Sequence, residues 1–336
     1  MTGTGKKEIN VLDRTLGSLL NDPLIAEIAP DAIRGRDLIN EEICGLKLRE
    51  VSWPGMERGF SRLLEVASRG QYYYPLYSGE ECGKTPEKRG VNLVHFPSDD
   101  PKADGRPFIL LVPGGGFVNV WNISEGWPIA QHFNEKGYHV FILTYRVNVA
   151  GTAAGAMEDI SRALTLIGEN AAEFRVDPGR YITCGFSAGG YIVCLWNTEI
   201  GYPAYGLAKP EACFPVYPFV SYRLASETMD AEPERKDGFA RSASGLSLTE
   251  TVNSCFEIPD HVEGFPPTAI FLAAKDEGVG PEHSKLLAKA LNEAGIACRL
   301  EIGETGGHGF ADGTGMCMEG WPERAIDWFE GLESGN

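Results

Sequence analysis

An α/β fold, with a mostly parallel central sheet flanked by helices and an N-terminal extension before it, is predicted by three features of the sequence. From about Val91 onward, short apolar runs alternate with amphipathic segments. Several of the runs, such as Phe108-Ile109-Leu110-Leu111-Val112, are apolar throughout rather than at every second residue. That pattern fits strands covered on both faces, as in a parallel sheet. Helical periodicity fills the gaps, and alternation of the two element types implies crossover helices on both sides of the sheet.

The expected strands are Val91–Phe96, Phe108–Val112, His139–Tyr145, Arg180–Gly185, Ala212–Tyr217, Ala269–Ala274 and Ala297–Ile302. Between them, Met157, Ile160, Leu164 and Ile167 share one helical face, and Leu287, Ala290, Leu291 and Ala294 share another. The second helix opens at Pro281 and stops at Gly295, following the start and stop preferences of those residues. Residues 91–333 therefore read as one α/β domain, and residues 1–90 as an extension that acts as a cap or packs an edge of the sheet. The extension holds one clear helix, with Phe60, Leu63, Leu64 and Ala67 on a face, followed by the aromatic stretch Tyr72–Tyr77. A second irregular stretch, Phe219–Gly264, is charge-rich at Glu227–Arg241, and long insertions of this kind often serve as lids or binding loops.

Composition narrows the function. Apolar residues at 43% and charged residues at 23% suit a soluble chain with a sizeable core. Met1–Asn10 is polar and no 18-residue apolar run occurs, so a cytoplasmic location is the expectation. The net charge of −17 is concentrated in residues 91–336, where 17 Lys+Arg face 33 Asp+Glu. Such a body repels nucleic acid and anionic membrane surfaces and disfavours a highly anionic substrate. The eight cysteines show no C-x-x-C spacing, which points to reduced structural thiols rather than a zinc or redox site.

The strongest chemical signal is Gly185-Phe186-Ser187-Ala188-Gly189-Gly190, set between an expected strand and the expected helix Tyr191–Glu199. In that context G-x-S-x-G is a nucleophile elbow, a turn so tight that the flanking positions must lack side chains. It lifts the Ser187 hydroxyl clear of the sheet at a helix N-terminus, where the dipole favours negative charge. Upstream, Pro113-Gly114-Gly115-Gly116-Phe117 follows directly on a strand. Consecutive glycines there leave backbone N–H groups free to face an oxyanion.

A nucleophilic serine needs a base. Of the six histidines, His95 and His139 lie in strand-like runs, His132 and His283 on helices, and His261 in the irregular insert. His308 alone stands in a glycine-rich loop after a late strand, Gly306-Gly307-His308-Gly309-Phe310. The acid belongs between serine and histidine at a strand end, in the chain order of such hydrolases. Asp276, in Lys275-Asp276-Glu277-Gly278-Val279, leads; Glu277 is its competitor, and Asp260 and Asp312 follow no strand.

Together PGGGF, GFSAGG, AAKDEGV and GGHGF resemble the α/β-hydrolase fold esterase/lipase family, near the acetyl and carbohydrate esterases that carry an HGGG-type motif. The resemblance covers about Val91 to Leu332. It implies Ser187 as nucleophile, Asp276 as acid, His308 as base, and oxyanion donors from the N–H groups of Gly115, Gly116 and Ala188. It also implies a small acyl ester as substrate, with no metal and no organic cofactor. The departure is Pro113, which stands where the family usually has His. Phe117, Trp121 and Trp127, just beyond the glycines, are candidates for the wall of a small acyl pocket, and with Tyr72–Tyr77 for stacking on a sugar ring. An amide-cleaving hydrolase with the same triad (an arylformamidase or a peptidase) and a non-catalytic binding protein on the same fold are the alternative readings. Nothing in the sequence indicates a homo-oligomer.

Overall fold

The computed structural model describes residues 10–35 and 38–334. Among these, eight strands form one sheet: β1 (Tyr73–Pro75), β2 (Asn92–Phe96), β3 (Phe108–Val112), β4 (Val140–Thr144), β5 (Tyr181–Phe186), β6 (Ala212–Val216), β7 (Thr268–Ala273) and β8 (Cys298–Gly303). Their order is β1-β2-β4-β3-β5-β6-β7-β8. β2 runs antiparallel to both β1 and β4, and every pairing from β4 through β8 is parallel.

The apolar runs bury both faces of the sheet. On β3, Phe108, Leu110 and Val112 enter one core, while Ile109 and Leu111 enter the other. The first core is completed by the helices Thr152–Glu169 and Ser187–Trp196, with Met157, Ile160 and Ile167 turned inward as the periodicity requires. The second is completed by Trp127–Glu135 and Trp321–Ser334 and by the segment before β1.

That segment is part of the fold, with no core of its own. Val11, Leu16, Leu19, Phe60 and Leu63 share a cluster with Ile109 and Leu111. The helix Met56–Ala67 lies on Trp127–Glu135, with the ring of Phe60 edge-on to Trp127 at 5.3 Å. Arg34 and Val120 exchange backbone hydrogen bonds, and the Asn92 amide donates to buried Asp31 at 2.8 Å. Tyr73–Pro75 then extends the sheet edge, and the Tyr72 hydroxyl donates to the Leu24 carbonyl.

The stretch Phe219–Gly264 differs from its expected irregularity. It forms the helices Tyr222–Thr228, Pro233–Ser244 and Leu248–Thr251. The charged residues that obscure their periodicity sit on exposed faces, and the buried positions of the longest helix are the small residues Ala240, Ala243 and Ser244, which leave little hydrophobic period. Likewise, the elbow helix begins at Ser187 itself, four residues before the expected Tyr191, because small residues at 188–190 carry no hydrophobic period.

Candidate active site

The loops that bear the chemistry all leave the carboxyl ends of parallel strands, where α/β sheets place their sites. β3 leads into Pro113–Phe117, β5 into Ser187, β7 into Asp276, and β8 into the loop of His308.

Ser187 adopts φ 51°, a left-handed conformation that costs a residue with a Cβ on the order of 1–2 kcal/mol. The turn is held by contact. A Cβ on Gly189 would lie 2.1 Å from the Val112 carbonyl oxygen, and one on Gly185 would lie 2.4 Å from that of Gly189. Only glycine allows so close an approach of β3, β5 and the helix.

The three predicted side chains meet. Ser187 Oγ lies 2.8 Å from His308 Nε2, and His308 Nδ1 lies 2.8 Å from Asp276 Oδ2. Asp276 is 6% exposed, and its second oxygen accepts the N–H groups of Gly278 and Val279, both at 2.8 Å. With Oδ1 held in this way, Oδ2 is aimed at the imidazole, which favours the tautomer with Nε2 free to take a proton from serine. Gly278 gives the ring its space, since a Cβ there would come 2.7 Å from His308 Cγ. Glu277 reaches the same cleft but makes no bond to the histidine among the described residues.

Gly115, Gly116 and Ala188 line the cleft beside Ser187. Gly115 takes φ 140°, where an added Cβ would overlap the Asn119 carbonyl at 2.2 Å. Ala188 lies in the first turn of its helix, so its N–H has no intrahelical acceptor. Among the described residues, the N–H groups of Gly115 and Gly116 also meet no acceptor.

Two residues that sequence reasoning missed brace this loop in place of the usual histidine. Glu125 Oε2 accepts the Gly114 N–H at 2.7 Å, and Tyr145 donates its hydroxyl to the Pro113 carbonyl at 3.1 Å. Glu125 Oε1 in turn accepts from the Tyr217 hydroxyl at 2.8 Å, and the Tyr217 ring stands edge-on to His308 at 5.0 Å. Burial pushes the Glu125 carboxyl above the usual range, against the opposing pull of its two donors and of His308 when charged. The signal was present, since Glu125 is the one Asp, Glu, Lys or Arg between Arg106 and Glu135, but no spacing rule connects position 125 to 114.

The cleft has a volume of about 940 Å³. Phe117 and Trp121 line it. Trp127 does not: it is fully buried in the second core against Phe60, because the first turn of its helix points under the sheet rather than over its edge. Tyr72–Tyr77 also lie away from the cleft, since they form and flank the distant edge strand β1. Their place is taken by Trp53 and Pro54 of the N-terminal segment, with Trp53 edge-on to Trp121 at 5.6 Å. The insert helices and the residues leading into them add Phe219, Ala225, Thr228, Met229 and Phe239.

One group among the described residues has spacing that could hold a metal: His132, Glu135 and Glu323. It lies outside the cleft, and its members are already paired. His132 Nδ1 is 2.7 Å from Glu323, and Arg58 is 2.8 Å from Glu135. Burial alone would lower the His132 pKa, but Asp312 and Glu323 outweigh it and raise it to about 9. The eight cysteines are all unpaired thiols, and Cys184, Cys194 and Cys213 are buried. No helix among the described residues is long and apolar enough to cross a membrane.

A parallel sheet whose strand ends carry an elbow serine, a histidine and a carboxylate in one hydrogen-bonded line is that of an α/β-hydrolase. Among the proteins it resembles are esterases of that fold. Residues 94–201 match the family model described as BD-FAE, a stretch that contains the glycine loop and Ser187 but neither Asp276 nor His308. An acetylxylan esterase of Xylanibacter ruminicola is 26% identical over 245 residues, which is 69% of this chain and 48% of that protein. Endo-1,4-beta-xylanase B of Butyrivibrio fibrisolvens is 26% identical over 240 residues, 68% of this chain and 36% of that protein. The chain thus spans between a third and a half of the length of these two relatives. Among solved structures, an acetyl ester-xyloside bifunctional hydrolase from Caldicellulosiruptor lactoaceticus superposes with a TM-score of 0.63 at 25% identity, covering 78% of this chain and 96% of that one.

Proposed function

We propose that this protein is a serine carboxylic-ester hydrolase acting on small acyl esters, acetyl esters of carbohydrates foremost among them. The observation that carries the reading is the unbroken line from Asp276 through His308 to Ser187 Oγ, with 2.8 Å at each step.

The reaction is a two-step acyl transfer. Ser187 Oγ attacks the ester carbonyl carbon while His308 Nε2 accepts its proton, and Asp276 stabilises the imidazolium that forms. The carbonyl oxygen takes up negative charge against the N–H groups of Gly115, Gly116 and Ala188. Loss of one such donor costs on the order of 10²–10³ in turnover, so the geometry of the glycine loop matters as well as the triad. Collapse of the tetrahedral intermediate expels the alcohol, protonated by His308, and leaves an acyl-serine. Water, deprotonated by the same histidine, attacks the acyl-serine, releases the acid and restores the hydroxyl.

Support for a carbohydrate ester comes from the aromatic pair Trp53 and Trp121 at the cleft and from the acetylxylan esterase relative. The deciding experiment compares p-nitrophenyl esters of increasing acyl length with acetylated xylo-oligosaccharides, N-formylkynurenine and a peptide anilide. Turnover of acetate esters that disappears in Ser187→Ala, with the fold intact by circular dichroism, is the expected result. Near-full esterase activity in Ser187→Ala, or cleavage of the amides alone, overturns the reading.

A further inference from the structure

His283 is the third residue of the helix Pro281–Glu293, five residues beyond the loop glycine that makes room for the imidazole of His308. It lines the same cleft yet takes no part in the triad. Only 5% of it is exposed. Its Nδ1 accepts two backbone N–H groups, those of Val220 and Ser221, each at 3.3 Å. Nδ1 is therefore the lone-pair nitrogen, and the ring proton sits on Nε2.

Among the described residues, Nε2–H has no acceptor, and it is not among the buried polar atoms sealed off inside the protein. In a ring this deeply buried, the remaining accessible edge opens onto the cleft. The wall around it is aromatic: His283 stacks at a tilt on Phe219 at 4.8 Å, Phe219 meets Phe239 at 5.3 Å, and Phe239 meets Phe117 at 6.2 Å. Nε2–H is the polar point on a row of rings that runs back to the oxyanion loop.

We propose that His283 is a specificity-determining residue whose Nε2–H binds an oxygen of the substrate other than those of the scissile ester, so that the site selects oxygen-bearing esters over hydrocarbon esters of the same shape. The inference rests on the ester-hydrolase reading above. Burial lowers the His283 pKa to about 4, so the ring stays neutral, with its donor in place, across the working range of an esterase. A donor in a largely apolar wall discriminates more sharply than the wall itself. A ligand that lacks the acceptor leaves the N–H desolvated and unpaired, whereas one added methylene changes binding only modestly.

The test uses matched pairs in which an ether oxygen replaces a methylene: 2-methoxyethyl acetate against butyl acetate on the alcohol side, and p-nitrophenyl methoxyacetate against p-nitrophenyl butyrate on the acyl side. The readout is the oxygen-to-methylene ratio of kcat/KM in the full chain, with each variant's ratio divided into that of the wild type so that intrinsic reactivity cancels. His283→Asn keeps an acceptor near the Nδ1 position for Val220 and Ser221 but withdraws the donor; His283→Gln keeps a donor near the Nε2 position; His283→Phe removes both. For one of the two pairs, the ratio should fall about 5- to 50-fold in the Asn and Phe variants and recover in part in the Gln variant. Ratios unchanged in Asn and Phe for both pairs overturn the proposal and leave the esterase reading standing. If Phe does not fold, the Asn and Gln variants decide alone. Absence of turnover on every ester in the wild type removes the esterase reading and this inference with it.

Discussion

The buried carboxylate of Glu125 accepts the backbone N–H of Gly114 at 2.7 Å and the hydroxyl of Tyr217 at 2.8 Å. One side chain thus joins the end of β3 to the end of β6, on either side of the strand that bears Ser187. It answers how the glycine loop keeps its shape with proline at position 113. The Pro113 carbonyl is fixed by Tyr145, and the next N–H is fixed by Glu125.

Glu125→Ala should lower kcat by about 10- to 100-fold while changing KM less, because the Gly114 N–H is left buried without a partner and the oxyanion donors after it drift. Glu125→Gln should fall between Ala and wild type, since its amide oxygen can accept from Gly114 while its NH₂ donates to Tyr217. Steady-state kinetics on an acetate ester settle the point. Wild-type kcat in Glu125→Ala would remove the bracing role.

Gly189→Ala should destabilise the fold by about 1–3 kcal/mol or more and abolish turnover, as the new methyl would stand 2.1 Å from the Val112 carbonyl and 2.4 Å from that of Pro113, both backbone atoms. Gly238→Ala is the control. It lies in the helix Pro233–Ser244 with nothing within 4 Å of the added Cβ, and it should stabilise by about 0.5–1 kcal/mol through helix propensity. Urea denaturation of both variants checks the contrast, and equal midpoints would contradict it.

His132 links the helix Trp127–Glu135 to Glu323 and Asp312, and its pKa is raised to about 9. A raised histidine pKa contributes stability that is full below the unfolded value, about 6.5, and is lost as pH climbs through 9. The gap in Tm between wild type and His132→Gln should therefore be widest near pH 6 and shrink by pH 9.5. A gap independent of pH would show that the charge on His132 adds nothing.

Trp53 reaches the cleft from the N-terminal segment and meets Trp121 edge-on. If Trp53 stacks on the sugar as proposed, Trp53→Ala should raise KM several-fold for acetylated oligosaccharides and change kcat little. For p-nitrophenyl acetate the effect should be smaller. A kcat loss with unchanged KM would assign Trp53 to the chemistry instead.

What is legible in the sequence here is what depends on near neighbours in the chain. Residues 108–112 read as a strand because a run apolar at every position must be covered on both sides, and Ile109 and Leu110 indeed face opposite cores. Ser187 stands out because its elbow is local: the glycines at 185 and 189 are required by backbone atoms a few residues away or on the adjoining strand. His308 and Asp276 can be named from chain order and strand ends, without any distance. Partners that meet only through the folded sheet escape such reading. Glu125 with Gly114 and Tyr217, Trp53 with Trp121, and His283 with Val220 are set by which strands lie side by side and which helix face turns inward. For the same reason Trp127, six residues from Trp121 in the chain, lies beneath the sheet while Trp121 lines the cleft. The local sequence determines that an elbow serine, a loop histidine and a glycine loop exist, because turns and strands are short-range objects. The tertiary structure alone decides what surrounds them, because direction across a sheet depends on the register and packing of the whole chain.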